Sequence, residues 1–353
     1  MTGTEPVLAL SSAYLASRAL HVVADLGVAD VLDDEPATTG ALADALDADP
    51  DALGRVLRLL VDHGVFARDP RGRWTHTAAS RLLRADHPAS LRAFVRMMGG
   101  PPMWDSLSAL GDTVRTGRAG IRSITPDGFW AHLHAHPDQG AIFDEAMTDR
   151  AGADLAAVLA SYDFSRHRRV ADIGGGRGHL VSAVLASSPD ATGVLFDLPH
   201  VLAALPAVTA ATPRLEVVAG DFFADPLPVC DAYVLMQVVH DWDDTAAGAI
   251  LAAVTRAAPE DATVLLLEWV LPEDGAGHPV TAMDVMMLAT TGGRERTRSG
   301  YAALLDGVGI DLVAVHPTRG PMCVLEGRVR RPGAPGPARP DLVIESPRPP
   351  ASR

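Results

Sequence analysis

Apolar positions along the chain change period near residue 161. Before it they recur at helical spacing. Leu15, Ala19, Val22, Val23 and Leu26 stand at offsets 0, 4, 7, 8 and 11, a stripe that a helix must bury on its own domain or on a second subunit. Thr38 or Thr39 can cap a helix through Leu46, after which Asp49 caps and Pro50 opens another. Leu53, Val56, Leu57, Leu60 and Val61 line one face of that helix and Gly64 stops it. Residues 65–68 and 73–77 flank the turn Asp69-Pro70-Arg71-Gly72, completing a winged-helix outline. Further helices are predicted over 91–110 and 129–160, interrupted by Gly99-Gly100-Pro101-Pro102 and by 116–127.

From residue 161 short apolar runs alternate with helical patterns. Strands are predicted at 170–173, 193–196, 215–219, 232–239 and 263–270, with helices at 180–187, 200–205 and 245–258. Such alternation specifies a doubly wound, mostly parallel α/β sheet. A helix at 299–307 and strands at 311–316 and 322–329 should close it as an antiparallel pair. The expected organisation is a helical, winged-helix-like domain over 1–160, a Rossmann-like domain over 161–330 and a tail, 331–353. With seven prolines and little apolar material, the tail should be disordered.

In open parallel sheets ligands bind outside the carboxyl ends of the strands. Strand 170–173 runs into Gly174-Gly-Gly-Arg-Gly178, with Asp172 before it and a helix after it. Glycines there permit positive φ and close approach, and the helix start offers unpaired N–H groups. A dinucleotide fingerprint needs its third glycine where this chain has His179. The other strand ends carry Asp197, Gly220-Asp221-Phe222-Phe223, His240-Asp241-Trp242 and Glu268, which together make one polar site. Asp197 is placed to accept from ribose hydroxyls and Asp221 from a purine amine, with Phe222 and Met236 covering the ring. The ligand is read as an adenosine compound without a pyrophosphate. His240 is the candidate base, an imidazole expected to be neutral because histidine titrates at about pH 6.5, with Glu268 or Glu295 fixing its tautomer.

Composition narrows the chemistry. All 30 basic residues are arginine, so a lysine Schiff base and a P-loop lysine are excluded. A net charge of −14 opposes nucleic-acid and anionic-membrane binding, and 41–75 holds five arginines against six aspartates, so the winged-helix outline reads as a scaffold. Cys230 and Cys323 read as small buried hydrophobes. His132, His134 and His136 cannot all share one helix face, and no metal site is expected. The chain shows no basic leader region, and no apolar stretch is expected to approach the length of a membrane span. It is read as soluble and cytoplasmic.

These residues resemble the S-adenosylmethionine-dependent O-methyltransferases of the plant caffeate and bacterial polyketide type. The resemblance rests on Asp172-Ile-Gly-Gly-Gly-Arg-Gly178, Phe196-Asp-Leu-Pro199, Gly220-Asp-Phe-Phe223, His240-Asp-Trp-Asp243, Glu268 before Val-Leu-Pro272, and Gly292-Gly-Arg-Glu-Arg-Thr297. It implies a class I methyltransferase domain behind a winged-helix homodimerisation domain. It also implies that Asp172, Gly174, Gly176, Gly178, Asp197, Leu198, Asp221, Phe222 and Met236 hold S-adenosylmethionine. His240 is then the base with Glu268 and Glu295 beside it, while Trp130, Met147, Asp241, Trp242, Met287 and Thr291 shape a pocket for a small phenolic acceptor. Met236 stands where plant members carry a lysine, and the region of Thr290 and Thr291 is one residue shorter than their asparagine-proline segment. Three other readings are weighed: a member that binds the cofactor for hydroxylation or decarboxylation, a winged-helix regulator that senses it, and a nicotinamide dehydrogenase, which His179 in place of the third glycine weakens.

Overall fold

The computed structural model describes residues 3–203, 205–274 and 280–330, so the tail 331–353 lies outside the described residues. Two compact units are present, one of Met1–Ser106 with Phe129–Arg150, the other of Leu107–Gly128 with Ala151–Arg353. The single boundary expected at residue 160 thus becomes an interleaved one. Helix Leu110–Thr116 and the turn Gly120–Ser123 pack on helix Val280–Thr290, which draws 107–128 into the second unit.

The first unit has the winged-helix outline. Thr38 accepts from Ala41 N–H to cap helix Thr39–Leu46, and Asp49 accepts from Ala52 N–H to cap helix Pro50–Asp62. Antiparallel strands β1 (Phe66–Arg68) and β2 (Trp74–His76) form the wing. Val23, Leu32, Leu42, Leu57, Leu60, Phe66 and Trp74 make its core, each contributing about 1.5–3 kcal/mol by leaving water. Arginines in and beside the wing are occupied locally: Arg68 on Gly72 O, Arg73 on Asp69 and Arg81 on Asp34. Pro137 divides the helix expected over 129–160 into Phe129–Ala135 and Pro137–Ser161.

Helix Thr4–Leu26 departs from expectation twice. Of the expected stripe only Ala19 and Val23 are buried, while Leu15 and Leu26 remain exposed together with Val7, Leu8, Leu10 and Tyr14. At 23 residues it is also long and apolar enough, by length and composition, to cross a membrane; its few scattered polar residues hid this from a reading by uninterrupted apolar runs.

The second unit is an eight-stranded sheet. Strands β3 (Arg169–Ile173), β4 (Thr192–Asp197), β5 (Leu215–Ala219), β6 (Ala232–Met236) and β7 (Thr263–Leu271) are parallel. The two-residue β8 (Arg296–Thr297) pairs with β7, and β9 (Ile310–Pro317) and β10 (Met322–Val329) form the antiparallel end. The main order is β5-β4-β3-β6-β7-β10-β9. Connections reverse between β3 and β6, which makes the carboxyl ends of those strands the switch point where a crevice opens. Alternate residues serve opposite layers: Tyr233, Leu235, Val264 and Leu266 join one core, Ala232, Val234, Leu265 and Leu267 the other. Strand β6 stops at Met236, three residues earlier than expected, because Gln237 takes φ +52° and Val239–Asp241 forms a 3₁₀ turn.

The β3 turn depends on a glycine whose φ is ordinary. A Cβ at Gly175 would lie 2.5 Å from Asp172 Cγ and 2.6 Å from Leu195 Cδ1. Gly175→Ala should lower the free energy of unfolding in urea by about 1–3 kcal/mol, the usual cost of overpacking; unchanged stability would show that the turn has slack.

Candidate active site

Three glycines after β3, Gly174, Gly176 and Gly178, take φ +68°, +56° and +74°, values that carry little penalty only without a Cβ. Gly174 N–H donates to Phe196 O at 2.8 Å, tying the turn to β4. A Cβ at Gly176 would meet nothing within 4 Å, so the backbone there faces open space. Asp172 lies beneath the turn rather than facing it. It is 1% exposed and accepts from Val181 N–H at 3.2 Å, and burial pushes its carboxyl up to about 7. The ligand contact implied for Asp172 is corrected to support of the turn: its carboxylate is sealed under Gly175.

Asp197 accepts from Gly176 N–H (2.8 Å) and Leu198 N–H (2.7 Å), one bond on each oxygen. Its place at the carboxyl end of β4, beside the turn, is where a ribose-binding acid is expected in this fold. Asp221 accepts from Phe223 N–H at 2.8 Å. The Phe222 ring approaches the space over Gly174 and meets Phe223 and Trp242 edge-on. Glycine turn, diol acceptor and aromatic wall, in order across adjacent strand ends, fit the donor and acceptor set of S-adenosylmethionine.

Next to this lies a buried charged cluster. Glu268, inside β7 three residues before its end and 0% exposed, accepts from Val239 N–H at 2.8 Å. His240, 6% exposed, donates from Nδ1 to Glu295 Oε1 at 2.8 Å, and its Nε2 is 3.7 Å from Asp241 Oδ1. Burial alone would push the imidazole pKa down. The carboxylates of Asp241, Glu268 and Glu295 outweigh it and carry it up to about 10. Burial likewise raises Asp241 to about 6 and Glu268 to about 7. Against the expectation of a neutral imidazole, the acidic neighbours pull His240 toward its protonated form.

A strap from Gly292 to Arg296 holds the ring. Arg294 N–H donates to His240 O at 2.8 Å, and a Cβ on Gly293 would collide with that carbonyl oxygen. The Arg296 guanidinium ties Val239 O (3.1 Å), Trp242 O (2.9 Å) and Asp244 Oδ1 (3.0 Å) together. Asp284 accepts from Glu295 N–H at 2.9 Å. Asp284 and the strained Gln237 carried no signal in the sequence, while Gly293 and Arg296 stood out only as members of the motif from Gly292 to Thr297, without these roles.

Of the residues implied for the acceptor pocket, Asp241 and Trp242 adjoin His240, and Met287 is buried on helix Val280–Thr290. Thr291 donates to Met287 O and accepts from Gly293 N–H, both at 3.1 Å, so its hydroxyl shapes the strap. Met236 packs on the apolar cluster around Val158 and Val234. Trp130 and Met147 belong to the first unit, where Trp130 meets Phe129 and Phe143 edge-on. His132 donates or accepts with Gln139 and stacks on His136. No group of three or more histidine, cysteine or acidic side chains suited to a metal occurs among the described residues.

Comparison with known proteins agrees with this geometry. Residues 107–311 match the model of an O-methyltransferase domain and residues 8–86 that of an O-methyltransferase dimerisation domain. The chain is 34% identical to phenazine O-methyltransferase PhzM of Lysobacter antibioticus, over 91% of this chain and 95% of that protein. It is 37% identical to 8-amino-8-demethylriboflavin N,N-dimethyltransferase of Streptomyces davaonensis, over 88% and 90% respectively. The solved structure of an O-methyltransferase from neocarzinostatin biosynthesis, NcsB1, holds S-adenosylmethionine and 2-hydroxy-5-methyl naphthoic acid. It superposes with a TM-score of 0.79 at 34% identity, covering 89% of this chain and 96% of that one. With the domain model spanning more than half of the chain, and relatives aligned nearly end to end, this chain belongs to the S-adenosylmethionine-dependent O-methyltransferases of secondary-metabolite biosynthesis.

Proposed function

We propose that this enzyme methylates a phenolic or related hydroxyl of a small, planar, polyketide-like metabolite, with His240 as the base that takes the hydroxyl proton. The observation that carries the reading is the His240 Nδ1 to Glu295 bond of 2.8 Å beside the glycine turn. It fixes one ring nitrogen and leaves Nε2 as the atom that can exchange a proton with an acceptor.

The chemistry divides between cofactor and chain. S-adenosylmethionine, when bound, supplies an electrophilic methyl group. The turn from Gly174 to Gly178 would hold its methionine end, Asp197 its ribose, and Asp221 with Phe222 its adenine. His240 then receives the acceptor proton at Nε2 while Glu295 and Glu268 stabilise the imidazolium. A phenol has a pKa of about 10 and is mostly protonated at neutral pH, so a positioned base that takes its proton as the oxygen attacks speeds the transfer. Holding the reacting oxygen in line lowers the barrier further. Within the second unit Trp242 and Met287 are read as walls of the acceptor pocket, and Asp241 as a charge that raises the basicity of His240.

The chain is also read as a homodimer formed through its N-terminal helices. Supporting this are the match to a dimerisation model over 8–86 and the exposed apolar side chains of Val7, Leu8, Leu10 and Tyr14. Light scattering on the purified chain should give twice the monomer mass, and a monomer at micromolar concentration would refute it.

Two further outcomes are expected. Isothermal titration should show S-adenosylmethionine binding by wild type and by His240→Ala alike. Against a panel of phenols and arylamines, wild type should form products heavier by one methylene, and the variant should do so roughly 10²- to 10⁴-fold more slowly. Cofactor binding without any methylated product would favour hydroxylation or decarboxylation chemistry, or a sensor, and arylamine products alone would make it an N-methyltransferase.

The pH profile tests the cluster. Because His240 must lose its proton before it can act, kcat/KM should climb on the alkaline side of an ordinary histidine. A carboxylate at Glu295 stabilises the imidazolium and an amide does not, so Glu295→Gln should move that limb toward acid by at least about one pH unit. A limb that stays in place would remove Glu295 from the control of the base.

A further inference from the structure

Three buried oxygen atoms in this part of the second unit have no hydrogen-bond partner among the described residues: Glu268 Oε2, Glu295 Oε2 and the hydroxyl of Tyr301. The Tyr301 hydroxyl is within electrostatic reach of both Glu268 and Glu295. Tyr301 lies on helix Arg298–Asp306 and is 0% exposed. Its ring belongs to the same core layer as Val264 and Leu266, and Glu268 continues that alternation along β7. The Arg296 guanidinium, which braces Val239 and Trp242, stands 5.9 Å above the Tyr301 ring. Its N–H groups are directed to carbonyl oxygens and Asp244. An arginine could in any case use the phenol only as an acceptor, so the hydroxyl's own hydrogen would still need a partner. Buried polar atoms left alone are costly, and internal water usually supplies what is missing.

We propose that Tyr301 is a positioning residue whose hydroxyl, through a buried water, donates to the free oxygens of Glu268 and Glu295 and fixes both carboxylates against His240. The inference rests on the reading of His240 as the base. Its consequence is electrostatic. A carboxylate that receives a hydrogen bond holds its charge more firmly, and a charged neighbour keeps the imidazolium stable. Without the donor, burial raises Glu268 further, and the proton affinity of His240 falls as that negative charge is lost. The other groups facing the cluster have fixed partners. Asp284 accepts from the Glu295 backbone, Asp244 pairs with Arg296, and Asp241 sits beside Nε2 of His240. Tyr301 is thus the donor available to the two unpaired oxygens.

Tyr301→Phe tests this in the full-length enzyme, since it removes one oxygen from a packed ring and leaves the apolar contacts intact. In ¹³C-histidine-labelled protein, the His240 resonance is assigned by its loss in His240→Ala. Its titration should move toward acid by about one pH unit in Tyr301→Phe, and the limb of kcat/KM should move with it. A bare, unpaired hydroxyl predicts the opposite pattern: Tyr301→Phe would be more stable than wild type and the His240 titration unchanged. That result overturns the inference. The two readings fail separately. A His240 titration that moves while the kcat/KM limb stays in place removes His240 as the base yet leaves Tyr301 acting on its charge. A crystal structure with no water within hydrogen-bonding reach of the Tyr301 hydroxyl would also exclude the proposal.

Discussion

An imidazole and three carboxylates withdrawn from water persist only if nearly every charge finds a partner. Breaking one buried pair leaves an uncompensated ion and typically costs about 3–5 kcal/mol. Much of the second unit serves this requirement. Strand β6 ends early so that the Val239 N–H can reach Glu268. The strap runs close enough to the 3₁₀ turn that only glycine fits at 293, which brings Glu295 to the ring. Arg296 is buried, an unfavourable place for a guanidinium, and it cross-links three segments in return. The strain of Gln237 at φ +52° belongs to the same bargain, since such conformations persist where the surroundings over-determine them.

The cofactor half of the site follows another logic, in which backbone rather than charge is arranged. Gly174, Gly176 and Gly178 curve the chain so that N–H groups and open space face the crevice. Asp197 is held in one orientation by the N–H groups of Gly176 in the turn and of Leu198 beside it. Asp172 works from below, and its buried carboxyl joins the turn to the helix that follows. Pre-organisation of this kind reduces what binding must spend on ordering the site.

Much of this was legible in the chain because it is local. Thr38 and Asp49 cap the helices they were expected to cap, the five parallel strands lie where apolar runs meet turn residues, and His240, Glu268 and Glu295 converge. What escaped was set by distant packing. The motif from Gly292 to Thr297 marks out the stretch that holds Arg296, but its part in joining Val239 and Trp242 is visible only once they lie beside it. Spacing reports that a histidine has an acidic neighbour, but not that three buried acids gather around it and pull it toward the protonated form. The stripe on helix Thr4–Leu26 was seen, yet a sequence cannot say which part of a stripe its own fold leaves bare. Asp172 was legible as important, but its side of the turn was not.

The interleaved boundary bears on how the parts of such enzymes can be exchanged. Ala119 and Ile121 are buried in the second unit, and Ala119 lies 3.5 Å from where a side chain on Gly292 would begin. They are encoded well before the sheet, in a stretch that reads as the tail of the helical domain. A hybrid that joins one relative's first 160 residues to another's remainder would therefore carry a foreign wedge against the strap that sets Glu295. Substrate preference and base strength would then change together, in a gene fusion designed to alter only the first.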